Sequence, residues 1–310
     1  MNKKQEAKKE IFKSGFVALI GRPNVGKSTF INNVLKQKIS IISPKPQTTR
    51  NKVQGIYTTS KEQIIFIDTP GIHKAHHELG SFMNKESLST LGDADLVLYI
   101  VDGNEAFGTG DEYVISELKK AKAKVILAVN KIDIVKDRDK LLQNILKFQN
   151  AFEFEEIYYI SALNGTNVDK LLESITSRLD EGPMYFPSDQ VCDHPESFII
   201  AEIIREKVLK LTKEEVPHSV AVTLEEMKHN DENPNLMDIR AVIVVERPSQ
   251  KKIIIGSKGS MIKQIGTEAR KDIVMLIGQK VYLELWVRVE NDWRNRPSQL
   301  KKFGYFNLDE

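Results

Sequence analysis

The first half of the chain repeats one pattern of apolar and polar positions: a short apolar run, a turn containing Gly, Pro or Asn, and a stretch with helical periodicity. Near-continuous apolar runs such as LVLYIVD and VILAVN are typical of strands that are buried on both faces of a parallel sheet. The pattern predicts five strands, at residues 16–20, 63–68, 95–102, 124–130 and 157–161. With helices between them, such as one predicted over residues 168–179, these strands indicate an α/β fold with a mostly parallel sheet and a ligand site at its carboxyl edge.

The run EGPMYFPSD, at residues 181–189, interrupts this rhythm with two prolines and a glycine, and it predicts a domain boundary. A different order of elements follows. The pattern predicts, in turn, a helix at 198–211, strands at 219–228, 239–246 and 251–255, a Gly-rich loop, a helix to residue 277 and a strand at 281–289. We therefore expect a polar tail (1–13), an α/β domain (14–180), a linker (181–195) and an α+β domain (196–310).

Composition narrows the classes of protein to which the chain can belong. Its 310 residues and 41% hydrophobic content are enough for two folded domains, and no apolar run approaches the length of about 18 residues that a transmembrane helix needs. The first residues have no apolar core or small-residue cleavage site, so we expect no secretory signal. The single cysteine, Cys192, cannot form an internal disulfide or a cysteine-based zinc cluster, which fits a reducing, cytoplasmic compartment.

Charge is unevenly distributed along the chain. The formal net charge is +2, but residues 247–302 contain thirteen Lys and Arg against five Asp and Glu, a local excess of +8. Residues 1–246 carry a net charge of −4. This concentration of positive charge predicts a polyanionic partner for the C-terminal part of the chain.

The segment GRPNVGKS, residues 21–28, matches the phosphate-loop pattern G-x-x-x-x-G-K-[ST] and lies between an apolar strand and a predicted helix, as that pattern requires. Its glycines let backbone N–H groups face phosphates, and the helix N-terminus adds a positive dipole end. We expect Lys27 to neutralise the β- and γ-phosphates of a nucleotide and Ser28 to coordinate Mg²⁺. The alternative is a chance match in a Gly-containing loop. The residues predicted to contact nucleotide here are Gly21, Arg22, Pro23, Asn24, Val25, Gly26, Lys27, Ser28 and Thr29.

A second motif, DTPG at residues 68–71, ends the predicted strand at residues 63–68. Asp68 can reach a metal ion directly or through water, and the Gly71 N–H can approach a γ-phosphate. DTPG alone is a common turn, but its place after a strand and downstream of the phosphate loop favours a metal site. The residues assigned to this part of the nucleotide site are Asp68, Thr69, Pro70 and Gly71.

Between the two motifs, the polar segment PKPQTTR at residues 44–50 is a candidate mobile switch. Thr49 is the first choice for the hydroxyl that caps Mg²⁺ and the γ-phosphate, Thr48 is the alternative, and the simpler interpretation is an exposed loop. The predicted metal ligands are therefore Ser28, Thr49 and Asp68, and the predicted catalytic groups are Lys27, Thr49 and Gly71.

Two later motifs, NKID at residues 130–133 and SAL at residues 161–163, follow strands of the same sheet and predict which base is bound. The Asp133 carboxylate can accept two hydrogen bonds from N1 and N2 of guanine, whereas adenine offers no such pair of donors. The Lys131 stem can pack along the base plane, and the Ala162 N–H can reach the guanine carbonyl. GTP is therefore predicted over ATP, with the base contacted by Asn130, Lys131, Asp133, Ser161, Ala162 and Leu163.

The order and spacing of these four elements resemble the translation-factor-related GTPases. The second predicted domain carries IIGSKG at residues 254–259, which resembles the GXXG loop of KH domains and lies inside the basic region. With both features, the whole chain is similar to bacterial ribosome-assembly GTPases, with a GTPase domain over residues 14–180 and a KH-type RNA-binding domain over residues 196–310. The resemblance implies that RNA is contacted by Ile255, Gly256, Ser257, Lys258, Gly259 and Lys263.

The resemblance also implies a function. It implies a GTP-hydrolysing switch that binds single-stranded RNA at the 3′ end of 16S ribosomal RNA and assists assembly of the 30S ribosomal subunit. The implied ligands are GTP, GDP and Mg²⁺, nucleotide controls access to RNA, and we expect a monomer. Peripheral contact with the inner face of the cell membrane is attributed to the same family, with the Lys-bearing N-terminal tail as the segment concerned, although such tails are usually solvated ends.

One residue departs from the Ras-like pattern. Ile72 stands where Ras-like enzymes place the glutamine that orients the attacking water, so we expect slow hydrolysis by the protein alone. In related GTPases an asparagine at the place of Asn24 helps to hold K⁺ against the phosphates, which makes activation by K⁺ a hypothesis here.

Two other functions stay open. One is an RNA-binding module that nucleotide licenses with negligible turnover, and the other is an ATP-dependent kinase, which Asn130 and Asp133 disfavour.

Several histidines and aromatic residues have two interpretations each. The histidines after the DTPG motif are interpreted as exposed loop residues rather than as a metal site or general base: His73, His76 and His77. Trp286 lies in the alternating C-terminal strand, where core packing is favoured over base stacking. The aromatic residues near the C-terminus could stack on RNA or cover the domain, and the sequence leaves both open: Phe303, Tyr305 and Phe306.

Overall fold

The structure, a computed structural model, describes residues 11–45, 48–72, 77–121 and 124–305. Within these ranges the chain forms a six-stranded sheet followed by a three-stranded sheet, and helices pack against both. In this part of the chain, no helix combines the length and the apolar character that crossing a membrane requires.

The N-terminal domain is built on the six-stranded sheet. Its strands are β1 (Lys13–Ile20), β2 (Val53–Thr58), β3 (Glu62–Asp68), β4 (Leu96–Asp102), β5 (Val125–Asn130) and β6 (Glu156–Tyr159). Their order is β2-β3-β1-β4-β5-β6, and every neighbouring pair is parallel except β2 with β3. The parallel order brings the carboxyl ends of β1, β3, β4 and β5 to one edge of the sheet, where a ligand site is expected in such folds.

Helices cover both faces of this sheet. They are α1 (Lys27–Leu35), α2 (Glu78–Asp93), α3 (Thr109–Ala121), α4 (Arg138–Ala151) and α5 (Val168–Arg178). One face forms a core with Phe30 of α1 and Leu171 of α5, and the other forms a core with Val114 of α3 and Phe148 of α4. Because both faces are covered, β4 and β5 are buried along their whole length, which explains their near-continuous apolar sequences.

The C-terminal domain combines three strands with four helices among the described residues. Its elements are α6 (Glu196–Leu211), β7 (Ala221–His229), β8 (Leu236–Val245), α7 (Pro248–Ile255), α8 (Ser260–Ile277), β9 (Lys280–Val289) and α9 (Pro297–Lys302). Strand β8 lies in the middle, antiparallel to β7 and parallel to β9. Ile203 of α6 and Ile273 of α8 pack with Ile239 and Ile243 of β8 to form the core of the domain.

Most predicted elements agree with the structure to within a few residues, but two do not. Strand β2 was not predicted, and it is the antiparallel edge strand of its sheet. The strand predicted at residues 251–255 is wrong, because those residues belong to helix α7. Pro248 occupies the first turn of α7, and Gln250 Oε1 accepts the Arg247 N–H at 3.0 Å, so the local sequence starts a helix.

The two domains are in contact, and the predicted linker at residues 181–195 falls between α5 and α6. Part of this linker runs beside β2, where the Ile56 N–H donates to the Val191 carbonyl at 3.0 Å. Across the domain contact, Leu79 and Met83 of α2 share a buried apolar cluster with Val244 and Trp293 of the C-terminal domain. The helix that follows the DTPG motif therefore packs directly against the other domain.

Candidate functional site

The phosphate loop lies between β1 and α1, and Lys27 is the first residue of the helix. Lys27 is buried, and its Nζ donates to the carbonyls of Gly21 at 3.0 Å and Arg22 at 3.2 Å. Burial lowers the pKa of Lys27 to about 8, and the nearby Asp68 carboxylate opposes this shift. The ammonium group therefore lies beneath the loop, where it can meet the phosphates of a nucleotide.

Other residues of the loop contribute backbone rather than charge. The Arg22 guanidinium is turned toward acidic residues, with Nη1 at 3.1 Å from Glu105 Oε2 and 3.3 Å from Asp111 Oδ2. Val25 is buried, while Asn24 and Thr29 line a cavity of about 310 Å³ next to the loop. The same cavity is bounded by residues 41–44, 48 and 49 of the α1–β2 connection (residues 36–52) and by Lys131, so the predicted phosphate-site residues and one predicted base-site residue face one space.

A cluster of oxygen atoms lies beside Lys27 at the end of β3. The Ser28 hydroxyl donates to Asp68 Oδ2 at 2.9 Å and lies 3.1 Å from the Thr49 hydroxyl. The Ser40 hydroxyl, which sequence reasoning missed, donates to the same Asp68 oxygen at 2.7 Å. The other oxygen, Oδ1, is buried and has no hydrogen-bond partner among the described residues. Burial raises the pKa of Asp68, and a cation at this cluster would both neutralise the carboxylate and satisfy Oδ1.

The structure distinguishes the two candidate threonines of the switch segment. The Thr48 hydroxyl donates to the Lys45 carbonyl at 2.6 Å and is buried within its own loop. The Thr49 hydroxyl instead lies beside Ser28, at the oxygen cluster. Of the two threonines, Thr49 is thus the one whose hydroxyl lies at the oxygen cluster, and its role in capping a metal ion stays a prediction.

The DTPG motif is fixed against the phosphate loop. The Thr69 hydroxyl donates to the Leu19 carbonyl at 2.8 Å, and the Ser87 hydroxyl donates to the Pro70 carbonyl at 2.7 Å. A side chain on Gly71 would come within 2.8 Å of the Pro23 nitrogen, so only glycine fits this close approach. Ile72 is buried in the core formed with α3 and α4, so its side chain points away from the oxygen cluster.

The base-reading motif joins the phosphate loop to the loop after β6. Asn130 Nδ2 donates to the Val25 carbonyl at 2.8 Å, and Asn130 Oδ1 accepts the Ala162 N–H at 2.8 Å. The Ala162 N–H is therefore bonded within the protein, and its contact with the guanine carbonyl stays a prediction. Gly26 has φ 105°, and a Cβ on it would lie 2.2 Å from Asn130 Nδ2, so this position requires glycine.

The remaining base-site residues lie at the same sheet edge. Lys131 Nζ is 2.6 Å from Asp102 Oδ2, at the end of β4, and Lys131 also lines the cavity beside the phosphate loop. Sequence reasoning missed Asp102, although an acidic residue ending a neighbouring parallel strand was its signal. Asp133 and Leu163 are both exposed. Ser161 is buried, and its hydroxyl accepts the Asn164 N–H at 3.2 Å.

The GXXG segment joins α7 to α8 in the C-terminal domain. Gly256, Lys258 and Gly259 have φ values of 73°, 49° and 79°, which turn the chain sharply and expose Ser257 and Lys258. Lys263 is also exposed, one turn into α8. A groove lies between this face of α8 and strand β9. Lys263 lines it together with Arg270 and Tyr282, two residues that the sequence alone did not indicate.

The structure settles most of the open aromatic and histidine assignments. Trp286 has 58% of its surface exposed, so the expectation of core packing is wrong: the outer face of β9 is not covered at this position. Phe303 and Tyr305 are buried around Trp293, so they cover the domain, while Phe306 lies outside the described residues. His77 caps α2 by accepting the Gly80 N–H at 2.9 Å.

Two of the predicted loop histidines, His73 and His76, lie outside the described residues. Within the described ranges, no group of three or more His, Cys, Asp or Glu side chains is placed to hold a metal ion. The metal site supported by the geometry is therefore the mixed cluster of hydroxyl and carboxylate oxygens beside Lys27.

Known proteins share both the fold and the motifs of this chain. A family model described as a 50S ribosome-binding GTPase matches residues 16–131, and a KH domain model matches residues 215–294. The chain is similar to a variant of Era from Aquifex aeolicus bound to GDP·AlF4−, with 43% identity and a TM-score of 0.92. It is also similar to Era in complex with MgGDPNP and nucleotides 1506–1542 of 16S ribosomal RNA, with 44% identity and a TM-score of 0.92. Both matches cover 96% of this chain and 100% of the other.

Proposed function

Since the chain belongs to the Era family of GTPases, we propose that it hydrolyses GTP with Mg²⁺ and uses the nucleotide to control binding of the 3′ end of 16S ribosomal RNA during assembly of the 30S subunit. The observation that carries this proposal is the oxygen cluster of Ser28, Thr49 and Asp68 beside the buried Lys27. The complexes of Era with GDP·AlF4−, MgGDPNP and 16S ribosomal RNA support the same nucleotide and RNA ligands here.

Each part of the site has a task in this reaction. Ser28, Thr49 and Asp68 would hold Mg²⁺, which neutralises charge on the β- and γ-phosphate oxygens. Lys27 would exchange its contacts with loop carbonyls for contacts with the phosphates. The Gly71 backbone lies against Pro23 of the phosphate loop, which supports a role for the Gly71 N–H in binding the γ-phosphate and in responding to its loss.

Single-turnover hydrolysis with and without RNA tests the proposal. We expect Mg²⁺-dependent conversion of GTP to GDP by the wild-type protein and none by Lys27→Ala, because that variant lacks the cation beneath the phosphates. Changing Ser257 and Lys258 together to Asp should weaken binding of the 16S ribosomal RNA 3′ end, through charge repulsion, without changing GTP turnover in the absence of RNA. RNA affinity unaffected by that double change would remove the GXXG assignment.

One observation favours a second candidate function. Ile72 is apolar and buried, so its side chain cannot orient the attacking water. The protein could then bind GTP in order to permit RNA binding, while hydrolysing GTP at a negligible rate. The two functions differ in their response to RNA. A switch accelerates hydrolysis when RNA or the 30S subunit is present, whereas a binding module shows the same negligible rate with and without them.

The proposal includes a monovalent cation. Asn24 Nδ2 donates to the Pro44 carbonyl at 2.8 Å, which ties the phosphate loop to the switch segment and leaves the amide oxygen as the cation ligand. K⁺ there would add positive charge beside the phosphates. Hydrolysis should be faster in potassium than in sodium, and Asn24→Ala should abolish the difference. Equal rates in both salts for the wild-type protein would remove this part of the proposal.

Three finer expectations belong to the proposal as well: a cytoplasmic location, a monomeric state and peripheral contact with the membrane. The membrane expectation concerns the N-terminal tail, of which residues 1–10 lie outside the described residues. Sedimentation of the purified protein alone, and then with vesicles that contain anionic lipid, tests the monomeric state and the membrane contact separately.

A further inference from the structure

The switch threonine is held from both sides by the other domain. The Thr49 hydroxyl lies 3.1 Å from that of Ser28, in the N-terminal domain. The carbonyl of the preceding residue, Thr48, accepts a hydrogen bond from the Arg205 guanidinium of α6, in the C-terminal domain. The following residue, Arg50, donates from Nη1 to the Val220 carbonyl at 2.6 Å, at the start of β7. Thr49 is thus flanked by a backbone carbonyl, that of Thr48, and by a side chain, that of Arg50, which are both bonded to the C-terminal domain.

Both arginines are buried, and each donates hydrogen bonds from two of its guanidinium nitrogens, while Arg50 Nε and Arg205 Nη1 have no partner among the described residues. Arg205 has 0% of its surface exposed, and its Nε donates to Glu202 Oε1 at 2.7 Å within the same helix. Arg50 has 1% exposed, and its guanidinium carbon lies 5.8 Å from the ring centroids of both Trp293 and Tyr305. Because buried charged hydrogen bonds are directional and costly to break, these contacts fix the path of the backbone as well as covering it.

The same helix also holds the beginning of the α1–β2 connection. Glu206 of α6 accepts the Ile42 N–H at 3.0 Å and lies 2.5 Å from Lys38 Nζ. Lys38 Nζ also donates to Asp272 Oδ2 at 2.8 Å, on α8, the helix that begins directly after the GXXG segment. The connection that carries Thr49 is therefore bonded to α6 at Lys38, Ile42 and Thr48, and to α8 at Lys38.

We propose that Arg205 is a positioning residue for GTP hydrolysis, which acts from the C-terminal domain. Through the Thr48 carbonyl it orients Thr49 toward the oxygen cluster, and Arg50 holds the other side of Thr49 in the same position. The reaction in the N-terminal domain then reaches its full Mg²⁺-dependent rate only while the C-terminal domain is docked. This inference rests on the proposed function, because it concerns the same nucleotide and metal site.

The first experiment compares Arg205→Met and Arg205→Lys with the wild-type protein in single-turnover GTP hydrolysis over a range of Mg²⁺ concentrations. Arg205→Met should lower the rate at limiting Mg²⁺ by about tenfold or more, the typical effect of losing one charged hydrogen bond. GDP affinity measured without Mg²⁺ should stay unchanged, because neither the γ-phosphate nor the metal ion that Thr49 is proposed to cap is then present. Arg205→Lys keeps a donor at this position and should recover part of the rate.

Arg240→Met is the matched control. Arg240 pairs with Glu284, Nε to Oε2 at 2.8 Å, so this change also removes an arginine–glutamate pair, but one that lies wholly within the C-terminal domain. It should hydrolyse GTP at the wild-type rate. Thermal unfolding shows whether each variant folds. If Arg205→Met does not fold, Arg205→Lys decides the matter, because a single ammonium cannot reproduce the forked contacts with Glu202 and Thr48 and should leave the rate at limiting Mg²⁺ below that of the wild-type protein. A rate equal to that of the wild-type protein at every Mg²⁺ concentration would then contradict the proposal.

The second experiment separates positioning from a general structural effect. If Arg205 acts through Thr49, then Arg205→Met should cause no further loss of rate in a Thr49→Val background. Additive losses would overturn the proposal, and so would an Arg205→Met variant that matches Arg240→Met. Failure of the proposed function looks different, because in that case the wild-type protein itself shows no Mg²⁺-dependent hydrolysis of GTP.

Discussion

Lys27 illustrates how the fold sets the behaviour of one residue. Its pKa is lowered to about 8 by burial, whereas a lysine bound to phosphates is protonated. Below about pH 8 the lysine is already charged in the free protein, so GTP affinity should not depend on its titration. Above about pH 8 binding must take up a proton, so the dissociation constant should rise by about tenfold per pH unit until the pKa of the complex is reached.

Calorimetric titration of GTP from about pH 7 to about pH 9 measures this effect. Lys27→Arg is the control, because arginine stays charged over the whole range while the titration of the nucleotide itself is unchanged. The ratio of the two dissociation constants isolates the contribution of residue 27. A ratio that stays constant above about pH 8 would mean that the pKa of Lys27 is not lowered in the free protein.

Asp133 determines the base preference in our assignment, and it lies exposed at the same sheet edge as Lys131. Asp133→Asn should lower GTP affinity by about a hundredfold, because two hydrogen bonds to a charged acceptor are lost. Affinity for xanthosine triphosphate should rise in the same variant, because xanthine presents a carbonyl where guanine has an amino group. Competition between the two nucleotides measures both changes, and Asp139→Asn, an exposed residue of α4, should leave the preference for GTP unaltered.

The chemistry of single residues was predictable where it is encoded by neighbours in sequence. Lys27 and Ser28 follow from one local motif, and the structure brings Thr49 to Ser28 as the sequence analysis expected. Ser40 and Arg205 were missed, because each reaches its partner only after the chain has folded. No short motif marks a residue whose role depends on a contact between domains.

At the scale of elements, periodicity predicted the buried parallel strands better than the short or peripheral segments. Strand β2 is an edge strand with a mixed sequence, VQGIYT, so neither strict alternation nor a continuous apolar run marks it. The KKIII run before Gly256 was assigned to a strand because short apolar runs fit both periods. Its flanking residues decide the outcome, since Pro248 and Gln250 favour a helix start.

Helix α7 gives a direct test of this explanation. Gln250 is buried, and its Oε1 accepts the N–H groups of Glu246 at 2.9 Å and Arg247 at 3.0 Å. Gln250→Ala should therefore lower the free energy of unfolding of the C-terminal domain by about 1 kcal/mol, because two backbone donors lose their acceptor. Urea denaturation followed by tryptophan fluorescence reports on this domain, since Trp286 and Trp293 both belong to it.

Gln264→Ala is the matched control for that measurement. Gln264 is an exposed residue of α8 whose partner, Glu268, lies on the same helix at 3.1 Å. Its loss should change the free energy of unfolding by less than about 0.5 kcal/mol. Equal effects of the two changes would mean that the start of α7 does not depend on the Gln250 cap.

At the scale of the whole molecule, two elements of the N-terminal domain, the α1–β2 connection and α2, contact the C-terminal domain. The α1–β2 connection is hydrogen-bonded to Arg205 and Glu206 of α6. Leu79 and Met83 of α2 pack against apolar residues of the C-terminal domain. Thr49 lies in the first of these elements, and Gly71 precedes the second in sequence, so both residues proposed to contact nucleotide are close in sequence to the domain contact. Two domains could be predicted from the sequence, but not this contact, because the apolar residues of α2 look like those of any helix that packs on its own sheet.

The docked arrangement itself can be tested by placing a charge in the apolar part of the contact. Met83 has 0% of its surface exposed and packs with Trp293 and Val244 of the other domain. Because an unpaired carboxylate is costly to bury, Met83→Asp should separate the domains rather than stay buried, and the radius of gyration measured by X-ray scattering should increase. Met184→Asp introduces the same charge at a residue that is 47% exposed, so it should leave the radius of gyration unchanged.

If Arg205 positions Thr49 only in the docked state, Met83→Asp should also lower GTP hydrolysis at limiting Mg²⁺ while GDP affinity is retained. A folded Met83→Asp variant with wild-type scattering and a wild-type rate would show that the apolar contact does not hold the domains together.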